Sequence, residues 1–301
     1  MPEISWPQNF DAIRDKAEAR LGKRIEQLNR SARRRLLEAI DQFGSVEAIP
    51  QAVWDDIERE AFALLFPVFA AIAAQSASVV LDSLGDITPP ALVDAAVDQR
   101  SRDTAQAVAT VTMDGMRKGV QRRYMRALEL GTALRTAAAT SLAQTPAGQP
   151  LPRDTGAGGT PLDWSRAAII STTEWQEKTD GAGRIARAAA TDATASITNG
   201  TLVAAEIVQT NNPHQTITIR WRVRKVTGDN RPGAAPDERV CPICGPQEGL
   251  PMEIWARYLS APPAHHGCRC ELQVFVAIIL PGLLTQTVEP GPISPPNRPR
   301  F

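Results

Sequence analysis

Residues 237–276 read DERVCPICGPQEGLPMEIWARYLSAPPAHHGCRCELQVFV. All four cysteines of the 301-residue chain lie here, with two of its three histidines. Thiolates and imidazoles grouped in this way let a short, loop-rich segment hold a metal ion. Cys241-Pro242-Ile243-Cys244 is a knuckle. Its two-residue spacer lets a tight turn aim both sulfurs at one point, and Gly245 relieves crowding behind the second. The other half offers His265, His266, Cys268 and Cys270, approached through Pro262-Pro263. Tetrahedral zinc takes four ligands, so six candidates are two too many. Two sets stand out: Cys241, Cys244, His265 and Cys268, or the four cysteines. Cys270 runs straight into a strand pattern, so a buried core thiol is the alternative for it. The separation of the two halves predicts a closed, structural zinc, one per chain.

Working outward, two strands flank this region. Residues 216–224, TITIRWRVR, alternate polar and apolar side chains with β-branched enrichment, a strand signature. Residues 271–276 form the second. Alternation puts Arg220, Arg222 and Arg224 on one face, with Lys225 next to them. They can meet phosphates, or they keep an exposed strand edge soluble. Glu253 to Leu259 reads as one or two helical turns. Glu248, Glu253 and Glu271 read as surface charges, and His214 as a surface residue ahead of the first strand.

Upstream the chain reads as helix. Ile13, Ala17, Leu21, Ile25, Leu28, Leu36, Leu37 and Ile40 recur at helical spacing over residues 9–43. Arg30, Arg33, Arg34 and Arg35 on this stretch read as a solvated face. Gly44-Ser45 ends the helix, and Pro50 precedes a second over residues 51–84, which Pro67 is expected to kink or split. Residues 91–143 read as one long helix or two. Residues 146–162 are rich in Pro, Gly and Thr and read as a linker. Asp163 is the expected cap of the next helix. Gly181-Ala182-Gly183 reads as a break before helix resumes over residues 184–209. The Pro-rich residues 281–301 read as an extended tail.

Composition narrows the function classes. Lys+Arg and Asp+Glu balance at 33 each, so no global field draws the chain to nucleic acid or membrane. The N-terminus carries no basic leader followed by an apolar run, and residues 274–284 fall short of a membrane span. These features predict a cytosolic product whose thiols stay reduced. Two enzyme patterns fail on spacing. An HNH-type nuclease needs a later Asn and His; no histidine follows His266, and Asn297 lies in the tail. A zinc deaminase needs His-x-Glu before Pro-Cys-x-x-Cys, and Val240 precedes Cys241.

Trp221, Asp237-Glu238-Arg239-Val240-Cys241-Pro242-Ile243-Cys244-Gly245-Pro246, Pro262-Pro263-Ala264-His265 and Cys268-Arg269-Cys270 together resemble the phage head morphogenesis family. These are the minor head proteins similar to protein F of phage Mu. That family's signature is ERVC-x-x-C, a spacer, and P-x-H-P-x-C-R-C leading into a strand. The likeness covers roughly residues 165–277, and its specific part is residues 237–275. His265 matches the family's His, whereas His266 stands where the family usually has Pro. Thr191-Asp192 and Asn199 loosely echo the family's Thr-Glu and later Asn. Residues 1–145 carry no motif of the family.

The expected fold class is α+β, predominantly α-helical. A helical region, residues 1–145, and the linker precede a small zinc-stapled domain, residues 163–280. The resemblance implies a non-catalytic virion protein at the portal vertex or capsid interior. It would be made in the host cytoplasm and act in head morphogenesis and genome packaging or delivery. The implied partners are the portal protein, other head proteins and packaged DNA, with no membrane and no small-molecule substrate. A zinc-dependent nuclease or hydrolase and a zinc-stabilised nucleic-acid-binding module are the alternatives.

Overall fold

Glycine and proline punctuate the helical part where the sequence places them. The structure, a computed structural model, describes residues 10–86, 88–144, 160–177, 180–213, 215–223, 243–257, 259, 261–264 and 268–278. Helix α1 spans Asp11–Phe43 and α2 Gln51–Leu84. Between them Gly44 takes a φ of +84°, the left-handed conformation that favours glycine, and its amide closes on the Ile40 carbonyl at 2.7 Å. Helix α3, Pro90–Gln144, is one helix of 55 residues, and α2 continues through Pro67 without splitting.

Helix α4 spans Pro161–Glu177 and α5 Asp180–Asn211. Two expectations shift here. Asp163 is not the cap residue. Thr160 is, and the pair forms a reciprocal capping box: the Asp163 amide reaches Thr160 Oγ1 at 3.3 Å, while Thr160 N and Oγ1 donate to Asp163 Oδ2 at 2.9 and 2.7 Å. These bonds, the backbone one first, hold the Asp163 carboxyl below its ordinary range. The expected linker therefore ends two residues early, and residues 145–159 lie outside the described residues. Gly181-Ala182-Gly183 opens α5 instead of preceding it. Glycine is tolerated in a first turn, where the leading amides have no intrahelical partner anyway.

The α+β, predominantly helical class holds. The strands β1, Gln215–Arg222, and β2, Glu271–Ile278, form a two-stranded antiparallel sheet with Trp221 opposite Leu272 and Arg222 opposite Glu271. A single turn of helix, α6, spans Met252–Trp255.

The chain forms two compact units, and neither follows the consecutive division drawn from the sequence. Unit 1 combines residues up to Ala17, Ala70–Ser101 and residues from Ala190 onward; unit 2 combines Glu18–Phe69 and Arg102–Ala189. In unit 2 a continuous core joins Leu28, Leu36 and Ile40 of α1, Trp54, Ile57 and Ala61 of α2, Met113, Met116 and Val120 of α3, and Ile169 of α4. Trp164 lies so close to Gly131 that a Cβ there would meet its ring at 2.3 Å. In unit 1, α5 and α2 approach most closely at Gly200, where a Cβ would stand 2.1 Å from the Ala73 carbonyl oxygen.

Helix α2 is the one helix, among the described residues, long and apolar enough to cross a membrane by length and composition. Its stripe Ala61, Leu65, Phe69, Ile72, Ala73, Ala77 and Val80 is buried in protein.

Candidate metal centre

The site is built where the segment between the strands folds back onto the sheet. Next to β1, the Gly249 amide donates to the Trp221 carbonyl at 2.8 Å and the Trp221 amide donates to the Leu250 carbonyl at 3.1 Å. Arg220 also bridges to Pro251. The edge of β1 expected to lie open is thus covered at Arg220 and Trp221. Trp221, 1% exposed, packs edge-on against the buried Trp255 of α6 with ring centroids 5.4 Å apart. This aromatic pair, with the buried Leu272 and Val274, supplies the apolar floor of the site.

Cys244, Cys268 and Cys270 converge on this floor. All three are buried free thiols whose sulfurs lie within 4.8 Å of one another. Cys244 and Cys268 Sγ are 3.9 Å apart. A disulfide needs about 2 Å. Sulfurs at the corners of a tetrahedron around zinc, each about 2.3 Å from the ion, stand about 3.8 Å apart. Cys244 and Cys268 therefore stand at the spacing of two zinc ligands with Cys270 close by, and the three cysteines can hold a metal ion. They include Cys270, for which a buried thiol outside the ligand set was the other reading. Cys241 and His265, the remaining expected ligands, and His266 lie outside the described residues.

The electrostatics of the cluster favour a cation. The Cys268 thiol is held far below its usual range by hydrogen bonds from Cys244 and then Cys270, helped by the backbone amides of Cys270 and Ala264. Cys244 is pushed up, chiefly by its bonds to Cys268 and Cys270 and then by burial. Cys270 feels a downward pull from Cys244, but its bond to Cys268 and burial outweigh that and push it up to about 12. The shifts run in opposite directions because the three sulfurs compete for the same protons. A metal dication held by them would displace thiol protons and neutralise the charge that burial penalises.

Behind the cysteines stands a polar network that the spacing of the motif did not reveal. Arg14 of α1, 0% exposed, donates from Nη1 to Thr194 Oγ1 of α5 at 2.9 Å and pairs through Nη2 with Glu271 Oε2 at 3.3 Å. Thr194 Oγ1 in turn donates to the Cys268 carbonyl at 2.7 Å. Glu271 is therefore not the surface charge it was taken for. It is 5% exposed and also meets Arg222 Nη1 at 3.4 Å. Burial pushes its carboxyl up against the opposing pull of Arg14 and Arg222. The sequence carried one sign of this network. Arg14 sits on the buried stripe Phe10, Arg14, Ala17, Leu21 of α1, whereas Ile13 and Ile25, assigned to that stripe by periodicity, are only half-buried.

The other candidates fall elsewhere. Glu248 is exposed and accepts from the Val223 amide, and Glu253 is exposed. The Arg220 guanidinium lies 5.2 Å over the Phe275 ring. With Arg222 on Glu271, two of the four cations proposed to face phosphates are engaged within the sheet. Arg224, Lys225, His214 and Asn297 lie outside the described residues. Asp192 is buried in α5, and its burial pushes the carboxyl up to about 7. Among the basic cluster of α1, Arg34 pairs with Glu38 and Arg35 with Glu60. No protein-family model, curated protein or solved structure matches the chain.

Proposed function

We propose that the chain is a minor head protein of a bacteriophage, associated with the portal vertex, whose C-terminal module is stapled by one structural zinc ion. The observation that carries the zinc is the convergence of the buried Cys244, Cys268 and Cys270, their sulfurs within 4.8 Å of one another, on the Trp221–Trp255 floor. Cys241 or His265 supplies the fourth ligand. When bound, the ion supplies cross-linking and charge neutralisation. A two-stranded sheet and a single helical turn bury too little surface to hold the intervening loops alone. The head assignment rests on the ERVC-x-x-C and Cys-Arg-Cys patterns. The buried, crowded cysteines favour this structural reading over the nuclease alternative, because a catalytic zinc keeps an open position. The nucleic-acid alternative is weakened by the pairing of Arg222 with Glu271.

Purified full-length protein is expected to carry about one zinc per chain, with uptake lost in Cys268→Ser and Cys244→Ser. In particles made by the encoding genome, peptides of the chain are expected at low copy number. Chains absent from purified particles, or nuclease activity that disappears in His266→Ala, would overturn the head assignment.

A further inference from the structure

We infer that Arg14 and Thr194 are positioning residues for the metal site, setting the Cys268-Arg269-Cys270 turn through the Cys268 carbonyl and the Glu271 carboxylate. The inference rests on the metal reading above.

A guanidinium with no exposure to water carries a desolvation penalty of several kcal/mol, and apolar residues of similar volume often do better for stability. On the stripe Phe10, Arg14, Ala17, Leu21, a leucine would fill the position at no such cost. The arginine instead spends its donors at two places, Thr194 Oγ1 at 2.9 Å and Glu271 Oε2 at 3.3 Å. A hydroxyl can accept and donate at once. Thr194, polarised by the cation it accepts from, donates onward to the Cys268 carbonyl at 2.7 Å. Glu271 directly follows Cys270. One side chain of α1 therefore pins the turn on both sides of its two cysteines, at the carbonyl of the first and at the residue after the second.

The consequence for the metal is geometric and electrostatic. Sulfur positions follow from the backbone that carries them, so fixing the turn fixes two ligands at once. A dication with three or four thiolates is negative overall. Arg14 and Arg222, pinned to the adjoining backbone through Glu271, set two cations beside it, with Asp11 as an opposing charge. Partners behind the ligands in this way are worth about 10–100-fold in metal affinity. The coupling runs both ways: a metal that orders the turn also orders the helix segment that holds it.

The test uses the full chain with Co2+ as the probe, read through its thiolate charge-transfer and d–d absorption and displaced by Zn2+. Thr194→Val keeps the shape of the side chain and removes the hydroxyl. It is expected to keep the wild-type far-UV spectrum, to lose about 10–100-fold in Co2+ affinity and to show a shifted d–d band. Thr194→Ser restores both. Thr194→Val with wild-type affinity and spectrum overturns the inference while leaving the metal site standing. Wild-type protein that takes up neither ion sinks the metal reading, and the inference with it. A second measurement needs no variant: in the wild type, metal is expected to slow amide exchange over residues 14–17 of α1, and chelation to release it. Exchange there that is indifferent to metal overturns the inference.

Discussion

Asp192 shows how much one buried carboxyl can cost. Its folded proton affinity lies at about 7 because burial disfavours the anion; in an unfolded chain it falls near the ordinary value of about 4. Between those values the folded chain holds a proton that the unfolded chain has released. Stability therefore falls as pH rises through this window, by up to about 1.4 kcal/mol per pH unit, and levels off above it. Asp192→Asn removes that slope and is expected to be the more stable protein at pH 8, by on the order of a few kcal/mol. Urea unfolding of both proteins from pH 4 to pH 8 checks this, and parallel curves would refute it. At this scale the sequence was least informative. Arg14 reads as one more charge in a helix rich in them, and Glu271 as a surface acid. Their burial depends on partners 257 residues apart, and no local pattern encodes such a distance. The cysteines were legible because their spacing is itself local.

The helices were legible for the same reason. Gly44, Pro50, Gly85 and Pro90 act on backbone conformation within a few residues of themselves, and the bounds of α1, α2 and α3 follow them closely. The Thr160–Asp163 box was half-legible, since either residue can cap and only the first helical amides decide between them. What periodicity did not resolve is which side of an almost wholly apolar helix is buried. In α2, Phe62, Leu64 and Phe66 look as core-like as Leu65, yet only Leu65 is fully buried. Packing also separates glycines that read alike. At Gly200 a Cβ meets the backbone of Ala73, which cannot swing aside, whereas at Gly115 it meets nothing within 4 Å. Gly200→Ala is expected to cost about 1–3 kcal/mol despite the better helix propensity of alanine. Gly115→Ala is expected to stabilise by about 0.4–1 kcal/mol. Denaturant midpoints of the two variants should therefore move in opposite directions. A midpoint raised by Gly200→Ala would mean that α2 and α5 do not approach so closely.

At the scale of the whole molecule, the cysteine module belongs to a unit gathered from distant stretches of the chain. Unit 1 draws on three stretches of the chain, and the boundaries between the units fall inside α1, α2, α3 and α5. A fragment of residues 163–280 keeps every cysteine and the Trp221–Trp255 pair but lacks Arg14 and residues 70–101. Glu271 would then be left without its buried partner, a loss of about 3–5 kcal/mol. The fragment is expected to melt without a cooperative transition and to bind zinc far more weakly than the full chain, as calorimetry and chelator competition would show. A fragment that folds and binds like the full chain would mean the module is autonomous.

The Arg14–Glu271 pair also sets an order of events during synthesis. Arg14 of α1 is made 257 residues ahead of Glu271 of β2. At translation rates of about 5–20 residues per second, the guanidinium waits on the order of ten to fifty seconds for its carboxylate. Thr194 of α5, its other partner, follows Arg14 by only 180 residues and is made before that carboxylate. The bond to Thr194 can thus form before the ion pair, which makes Arg14–Glu271 a late contact of its unit.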